Sequence, residues 1–404
     1  MVLATWQKTL LCSGLATVLL GLIFWGLAVH FEWFKDIDKS TPPTAQTTPP
    51  KTPTPVPTPK PTSVAFKVEE VASNLFVPWS IVFTSESRFL VTERTGAVRV
   101  FENNAIQATP LTTFSEVATG GEEGLMGMTK DPNYTTNKYL YACVATEAGG
   151  TMHDKIIRFQ DQANGGTKTT LLDNIPAAQY HAGCRLKFGP DSKLYITTGD
   201  ATEKAIAQNK NSLGGKILRL NADGSVPSDN PFSGSPIWSY GHRNPQGLDW
   251  QPGTNALIAT EHGPSGFDGP EGGDEVNFID KGANYGWPLV SHTNTMAGTV
   301  APLLVFTPAV APGSGMFYRS DTLPQFTGNY FFGMLKGEGL QRIVFDKTDA
   351  HKIISHEKMA EVTVGRVREV AESPDGKIYF TTSNRDGRGA ARSGDDRIYR
   401  LTPQ

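Results

Sequence analysis

The residue types best suited to chemistry in this chain are a histidine, an aspartate and a small set of cations. His181 opens the stretch HAGCRLKFGPDSKLYITTGD, which ends at Asp200. An imidazole titrates near neutral pH, and a carboxylate partner can fix its tautomer. A histidine at the junction of a loop and a strand can also make a purely structural hydrogen bond. On this stretch alone, His181 is a candidate general base or a structural residue.

Four cations are candidates for binding an anion, namely Arg243, Lys336, Arg366 and Arg368. Arg366 and Arg368 are two residues apart, so on a strand their side chains would point to the same face. Neighbouring cations repel each other unless an anion lies among them, and arginine suits bidentate binding of carboxylates. The set indicates a polycarboxylate ligand. The alternative is that each cation pairs with an acid of the chain, such as Glu369 or Asp274.

The stretch from His181 to Asp200 also contains a strand–turn–strand unit that recurs along the chain. Gly189-Pro190-Asp191 predicts a tight turn, and residues 193–198 alternate as a half-buried strand does. Similar units occupy residues 84–100, 131–144, 251–260, 330–345 and 373–382. One four-stranded sheet cannot bury both of its faces, so units spaced roughly 50 to 70 residues apart suggest blades stacked around an axis. We predict an all-β, six-bladed β-propeller.

Composition and charge limit the possible partners. The chain has 404 residues with 41 glycines and 28 prolines, which suits a turn-rich β protein with one large core. The net charge of −3 provides no basic surface for nucleic acid. The Cys and His residues of the sequence form no cluster with the spacing of zinc ligands, so a zinc site is not expected. Cys143 and Cys184 fall in different predicted blades, and we expect buried free thiols, with a disulfide as the alternative.

The first 63 residues predict an anchor and a tether. Residues 10–31 form an apolar run of about 22 residues, enough for a helix to cross a hydrocarbon layer of about 30 Å. A clear cleavage site does not follow, so residues 1–39 are predicted to be an uncleaved membrane anchor, with a cleaved signal as the alternative. Residues 40–63 are rich in Pro and Thr and predict a disordered linker. The propeller, residues 64–404, is expected to be membrane-anchored outside the cytoplasm, in the periplasm or at the cell surface, rather than secreted.

Residues 64–75 predict a first strand directly after the linker. Closed propellers often complete their last blade with a strand from the opposite terminus, which removes exposed strand edges. We expect this strand to pair with residues 397–401 and to close the ring.

Polar loops, about one per predicted blade, are expected to converge on one pocket. Their motifs occur in the order H-x-G-x-R-L, GHRNPQGL, E-H-G-P, the Lys336-Gly337 loop and R-V-R. This ordered set resembles the soluble glucose dehydrogenases and aldose sugar dehydrogenases, also called the glucose/sorbosone dehydrogenase family, over about residues 64–403. The resemblance implies a six-bladed propeller that oxidises sugars with pyrroloquinoline quinone (PQQ) and calcium.

The resemblance also implies roles for residues near the reacting carbon. His181 matches the general base that takes the proton of the anomeric hydroxyl, and Asp200 matches the acid that orients this base. Arg243 and Asn244 match residues that contact the quinone, where Arg243 would stabilise developing negative charge. Glu122 matches a cofactor-contacting position that is Gln in the best-studied members.

Other matched residues would hold the cofactor itself. Lys336, Arg366 and Arg368 match the residues that bind the PQQ carboxylates. The backbone carbonyls of Gly263 and Pro264 match the ligands of the calcium ion, a hard cation that prefers oxygen. The chain departs from the best-studied members in having His262 for Gln, Ala309 for Thr and Tyr180 for Asp.

The resulting expectation is an enzyme that oxidises the anomeric carbon of an aldose to a lactone and passes electrons to a quinone or cytochrome. Two alternatives remain open. One is a non-catalytic propeller that binds carbohydrate or protein. The other is a calcium-dependent, lactonase-like hydrolase, which would require acidic metal ligands converging on the channel.

Overall fold

A computed structural model describes residues 63–404 of the chain. The predicted membrane anchor and nearly all of the predicted linker lie outside these residues. Across residues 63–404, every helix is too short or too polar to span a lipid bilayer. The described residues form six antiparallel sheets, which confirms the prediction of an all-β, six-bladed propeller.

The first three blades follow one another along the chain. Strand β1 (Phe66–Ala72) precedes blade 1, which contains β2 (Pro78–Phe83), β3 (Phe89–Glu93), β4 (Ala97–Glu102), β5 (Ala105–Ile106) and β6 (Thr112–Thr113). Blade 2 contains β7 (Leu125–Lys130), β8 (Tyr139–Ala148), β9 (Thr151–Gln160) and β10 (Thr169–Pro176). Blade 3 contains β11 (Gly183–Phe188), β12 (Leu194–Thr198), β13 (Lys216–Leu220) and β14 (Ile237–Tyr240).

The other three blades have the same strand order. Blade 4 contains β15 (Pro245–Trp250), β16 (Leu257–Glu261), β17 (Asp274–Phe278) and β18 (Leu304–Phe306). Blade 5 contains β19 (Pro312–Phe317), β20 (Tyr330–Met334), β21 (Leu340–Phe345) and β22 (Ile353–Lys358). Blade 6 contains β23 (Val367–Glu372), β24 (Ile378–Thr382), β25 (Ile398–Pro403) and β1. Within residues 63–404, helical structure is limited to α1 (Tyr134–Asn137) and short 3₁₀ turns at Ala163–Gly165, Lys204–Ala207 and Pro324–Phe326.

The ring is closed by a strand from the N-terminal side. Strand β1 pairs antiparallel with β25, with Phe66 opposite Pro403 and Ala72 opposite Ile398. Blade 6 therefore combines β1 with the last three strands of the chain, and the expected closure is confirmed. Pairing the two ends in one sheet removes the edges that an open ring would expose.

The first strand of each blade lines the central axis, and each packs against the first strands of both neighbouring blades. Space there is too small for side chains at some positions. A Cβ atom on Gly127 of β7 would lie 2.3 Å from the Cys184 carbonyl oxygen, and one on Gly313 of β19 would lie 2.3 Å from that of Arg368. Glycine is required at these positions because backbones approach each other directly.

Every one of these six inner strands carries an irregularity near its beginning. The pairing of β2, β7, β11, β15, β19 and β23 with the second strand of its blade shifts register within the first few residues. Such bulges bend a strand and turn its side chains to new directions. They occur at the end of the propeller where the polar loops lie.

A buried ion pair crosses the central channel. Arg185 of β11 in blade 3 binds Glu369 of β23 in blade 6, at 2.5 Å between Nη1 and Oε2. The Arg185 guanidinium also lies 4.1 Å from the centre of the Trp79 ring. Blades 3 and 6 are opposite in a ring of six, so this ion pair spans the channel.

The two cysteines form a disulfide, so the expectation of free thiols is wrong. Cys143 lies in β8 and Cys184 in β11, with their Cα atoms 6.0 Å apart. Both side chains point into the same hydrophobic layer between blades 2 and 3. The sequence places the cysteines in different blades, but only the packing of neighbouring blades brings the sulfur atoms together.

Replacing both cysteines with alanine, Cys143→Ala with Cys184→Ala, should destabilise the propeller. The bond closes a loop between residues 41 apart in sequence. Closing a loop of that size stabilises a folded protein by about 2–4 kcal/mol of unfolding free energy. Thermal unfolding of both proteins measures the difference. Alkylation of the denatured, unreduced wild-type protein is the control, and modification of Cys143 and Cys184 there would contradict the bond.

Two carboxyl groups are buried beside this disulfide. Glu123, just before β7, and Asp154 of β9 are both fully buried. Burial raises the pKa of Asp154, and burial together with the neighbouring Asp154 raises the pKa of Glu123. The two groups interact directly, so the fold favours a protonated pair over two buried charges.

This pair should make the propeller less stable as pH rises. An acid whose pKa is raised by folding contributes stability that is complete below about pH 4 and is lost as pH rises through the folded pKa. Asp154→Asn removes one of the titrating groups, so its unfolding temperature relative to wild type should increase between pH 4 and pH 8. The exposed Glu86→Gln serves as the matched control, and a constant difference across this range would contradict the prediction.

Candidate functional site

A cavity of about 600 Å³ opens at the end of the propeller where the inner strands begin. Residues just before the inner strands line it, namely Glu122, His181, Arg243, Ala311 and Arg366. Residues just after the second strands also line it, including Arg94, His262, Lys336 and Asp386. In an antiparallel blade the first strand begins where the second strand ends, so every blade presents both segments to the same end.

His181 and Asp200 form a direct contact within blade 3. His181 precedes β11 and Asp200 follows β12, and Nδ1 of the histidine lies 2.6 Å from Oδ1 of the aspartate. The indole Nε1 of Trp287 donates to Oδ2 of Asp200 at 2.7 Å, and the Thr202 amide donates to Oδ1 at 2.9 Å. The carboxylate is fully buried and held on both oxygens.

The second nitrogen of His181 meets an arginine. Nε2 lies 2.7 Å from Nη2 of Arg243. Guanidinium nitrogens only donate hydrogen bonds, so Nε2 is the acceptor and the ring proton lies on Nδ1, facing Asp200. In this tautomer Nε2 carries no proton, and its one lone pair accepts from Arg243; a general base would use the same lone pair for the substrate proton.

The backbone of His181 is held in an uncommon conformation. Its φ angle is +62°, in the left-handed region that residues with a side chain rarely adopt. Its amide donates to Oε2 of Glu122 at 3.0 Å. Strained residues persist only where the surroundings determine them, and they concentrate at functional sites.

Arg243 is almost completely buried, and acidic groups hold both its side chain and its backbone. Its Nε donates to Asp268 at 2.6 Å and its Nη2 to the Ser265 hydroxyl at 3.1 Å. Its backbone amide donates to Glu261, and its carbonyl accepts from the Asp200 amide at 2.8 Å. Arg243 thus links blade 3 to the loop that follows β16.

Arg366 and Arg368 share one carboxylate. Both donate to Oδ2 of Asp386, at 2.7 Å from Arg366 and 3.4 Å from Arg368. Burial lowers the pKa of Arg368 to about 10, although the charge of Asp386 opposes this effect. The two arginines lie on the same side of the chain, as their spacing predicts, and both line the cavity.

The other candidate cation, Lys336, lies at the exposed rim, where it contacts Glu271. All four candidate cations therefore pair with an acid, but with different acids from those expected. Glu369 pairs with Arg185. Asp274 accepts hydrogen bonds from the amides of Gly263, Val310 and Ala311, so it orders two loops around the cavity.

Glu122 contributes a negative charge to the cavity. Burial raises the pKa of its carboxyl group, but the charges of His262, His181, Arg368 and Arg388 outweigh burial and the pKa lies below its ordinary value. The same Oε2 atom that binds the His181 amide is 3.4 Å from the side-chain amide of Asn244. The geometry makes Glu122 a support for the histidine loop as well as a wall of the cavity.

Asn244, Gly263 and Pro264 occupy positions around the floor. Asn244 is fully buried, and its side-chain oxygen accepts from the Gly183 amide at 2.9 Å, so it supports the wall instead of lining it. Gly263 and Pro264 line the cavity. The Pro264 carbonyl accepts from the Gly272 amide at 3.2 Å, whereas the Gly263 carbonyl has no hydrogen-bond donor among residues 63–404.

Several site residues were missed by sequence reasoning. Trp287, Asp268 and Asp386 hold the functional side chains, and they lie in long loops without a motif. Arg94, Phe267 and Arg388 line the cavity directly. The NRDGRG stretch around Asp386 predicts a solvated hairpin loop that is also a candidate contact at the rim, and Arg388 does line the cavity. Its sequence gave no signal that Asp386 pairs with Arg366 and Arg368.

Comparison with known proteins agrees with this geometry. Residues 75–392 match the model of the glucose/sorbosone dehydrogenase family. The chain is 32% identical over 364 residues to an uncharacterized protein of Synechocystis, covering 80% of this chain and 85% of that protein. It is 30% identical over 345 residues to an aldose sugar dehydrogenase of Escherichia coli, covering 79% of this chain and 91% of that protein.

A solved structure is also similar. The PQQ-bound aldose sugar dehydrogenase of Streptomyces coelicolor superimposes with a TM-score of 0.74 at 32% identity, covering 85% of this chain and 100% of that one. Family model, curated relative and structure agree with the resemblance inferred from the motifs, which is thereby confirmed. The chain belongs to the glucose/sorbosone dehydrogenase family.

Proposed function

We propose that this protein oxidises the anomeric carbon of an aldose to the lactone, using PQQ and calcium, outside the cytoplasm. The observation that carries the proposal is the Asp200–His181 pair, which presents an unprotonated Nε2 to a cavity lined by cations. Membership of a family of sugar dehydrogenases supports the oxidoreductase assignment.

The chain's own groups would manage the proton and the charge. His181 would accept the proton of the anomeric hydroxyl at Nε2. Asp200 would stabilise the resulting imidazolium through its contact with Nδ1. Arg243 lies next to Nε2, so it would stabilise negative charge that develops on the acceptor or on the substrate oxygen.

The donor set fits PQQ, a tricarboxylate. Arg366, Arg368 and Lys336 line a cavity of about 600 Å³, within the usual range of ligand pockets. Their guanidinium and ammonium donors suit carboxylates. When bound, PQQ would accept a hydride from the sugar carbon. The present partners Asp386 and Glu271 would share these cations with the cofactor or give them up to it.

The calcium proposal rests on backbone oxygens. A Cβ on Gly263 would lie 2.2 Å from the carbonyl oxygen of Gly272 and 2.4 Å from that of Gly273. Carbonyl oxygens therefore crowd around Gly263, whose own carbonyl accepts no hydrogen bond from residues 63–404. Calcium prefers oxygen ligands of this type, and Gly263 and Pro264 would supply two of them.

The predicted location and electron acceptor remain part of the proposal. An apolar run at residues 10–31 and a Pro/Thr-rich linker support a membrane-anchored head in the periplasm or at the cell surface. A quinone or cytochrome would receive the electrons. The alternative is a non-catalytic binding head. It is favoured by the observation that every candidate cation already has an acid partner, because these pairs need no ligand to balance their charges.

Reconstitution with PQQ and Ca²⁺, followed by dye reduction with a panel of aldoses, tests the proposal. His181→Ala should abolish turnover while leaving PQQ affinity nearly intact, because the ring acts on the sugar proton. Arg366→Ala should weaken PQQ binding about tenfold or more, because it removes a guanidinium that would donate hydrogen bonds to a PQQ carboxylate. Exposed His356→Ala is the control. Equal activity in His181→Ala and wild type would end the catalytic assignment.

Asp200→Asn should lower kcat by about 10²–10⁴ with little change in PQQ affinity. If the oxygen of the new side-chain amide at position 200 still accepts from Trp287, its NH₂ group faces Nδ1 of His181. Nδ1 must then accept, so the proton of the imidazole moves to Nε2. A protonated Nε2 cannot accept the substrate proton. Glu203→Gln, on the exposed loop nearby, should retain kcat. A near-normal kcat in Asp200→Asn would show that Asp200 only packs against the ring.

A further inference from the structure

Two more arginines line the cavity and differ from the four candidate cations. Arg94 follows β3 in blade 1, and Arg388 lies in the loop after β24 in blade 6. Arg243, Lys336, Arg366 and Arg368 each bind an acid. Among residues 63–404, neither Arg94 nor Arg388 has a carboxylate within ion-pair distance. These two charges are therefore available to a ligand.

Arg94 is partly buried yet poorly satisfied. Its one side-chain hydrogen bond within the described residues runs from Nη1 to the Gly121 carbonyl at 2.6 Å. Burial lowers the pKa of Arg94, against the opposing charges of Asp386, Asp396 and Glu122, but arginine stays charged in proteins. A guanidinium has five N–H donors, so most of those of Arg94 remain free.

Arg388 lies over an aromatic ring at the rim. Its guanidinium carbon is 5.0 Å from the centre of the Tyr180 ring, and both side chains are exposed. This contact holds the planar group without using its N–H donors, which remain free for a ligand.

Both arginines adjoin the segment that carries His181. Gly121, which accepts from Arg94, packs so closely that a Cβ there would be 1.9 Å from the Gln179 carbonyl oxygen. Tyr180, which lies under Arg388, directly precedes His181. A positive corner is thus formed beside the base, on the side of blades 1 and 6.

We propose that Arg94 and Arg388 bind an anionic group of the substrate, so that the preferred substrate is an aldose carrying a carboxylate or a phosphate. The inference rests on the proposed sugar oxidation. The anion would lie at the positive corner while the anomeric hydroxyl reaches Nε2 of His181.

The acids nearest this corner bind other groups, although Glu122 keeps its negative charge and interacts electrostatically with Arg94 and Arg388. Asp386 is shared by Arg366 and Arg368, and Oε2 of Glu122 accepts the His181 amide. Across the cavity, the exposed ring of Phe267 lies 5.9 Å from the His181 ring centre at an angle of 22°. This apolar surface suits the carbon face of a sugar and would leave its anionic substituent directed to the arginines.

The test compares substrates that differ only at C6. Glucose, glucuronate and glucose 6-phosphate are offered to the PQQ- and calcium-loaded protein. We expect kcat/KM to be at least about tenfold higher for one anion than for glucose, and the KM of that anion to rise with salt. The two anions distinguish a carboxylate site from a phosphate site. A wild-type preference for glucose over both anions overturns the proposal.

Variants locate the site. Arg388→Ala and Arg94→Ala should each raise KM for the preferred anion about tenfold, which is more than the rise in KM for glucose. Arg385→Ala is the control, because Arg385 is exposed in the same loop as Arg388 but does not line the cavity. This variant should keep the preference for the anion. Equal losses for glucose and the anion would overturn the assignment. Calorimetry with the same sugars reads binding without turnover. Anion binding that depends on Arg94 and Arg388 but yields no oxidation would refute the proposed function and leave only the anion-binding role of the two arginines standing.

Discussion

The hydrogen bond between His181 and Asp200 is the interaction on which the chemistry of this site depends. It joins the beginning of β11 to the end of β12 at 2.6 Å, so it can form only if the first two strands of blade 3 keep their register. Trp287 from blade 4 holds the other aspartate oxygen. Blades 3 and 4 together therefore fix the tautomer of the His181 imidazole. The direction of its lone pair follows from how these two blades pack against each other.

The propeller supplies this geometry by repeating one arrangement six times. Each inner strand bends near its first residues, and the residues before that bend meet those that follow the second strand. Direct backbone contact at Gly127 and Gly313 keeps the inner strands close to the axis. The pairing of β1 with β25 closes the ring, and closure brings residues of blades 1 and 6 to the same cavity as those of blade 3.

Charge balance divides the cations of the cavity into two groups. Arg243, Arg366, Arg368 and Lys336 are held by acids, and the three buried guanidinium groups need such partners before a ligand arrives. These acids orient the donors, and an anionic cofactor would compete with them. Arg94 and Arg388 are held by a carbonyl and an aromatic ring instead. A neutral partner fixes a guanidinium without satisfying its charge.

The sequence by itself determined the blade count and the closing strand, because strand periodicity and turn residues are local signals that recur. Its ordered motifs indicated the family, and that resemblance indicated most of the side chains that line the cavity. The tertiary structure alone decided the partners of those side chains. Asp386, Asp268 and Trp287 come from long loops whose course no local pattern specifies, and Asp274 bonds loop amides instead of a cation. The Cys143–Cys184 bond was missed for the same reason, since only the packing of neighbouring blades sets the distance between two residues of different sheets.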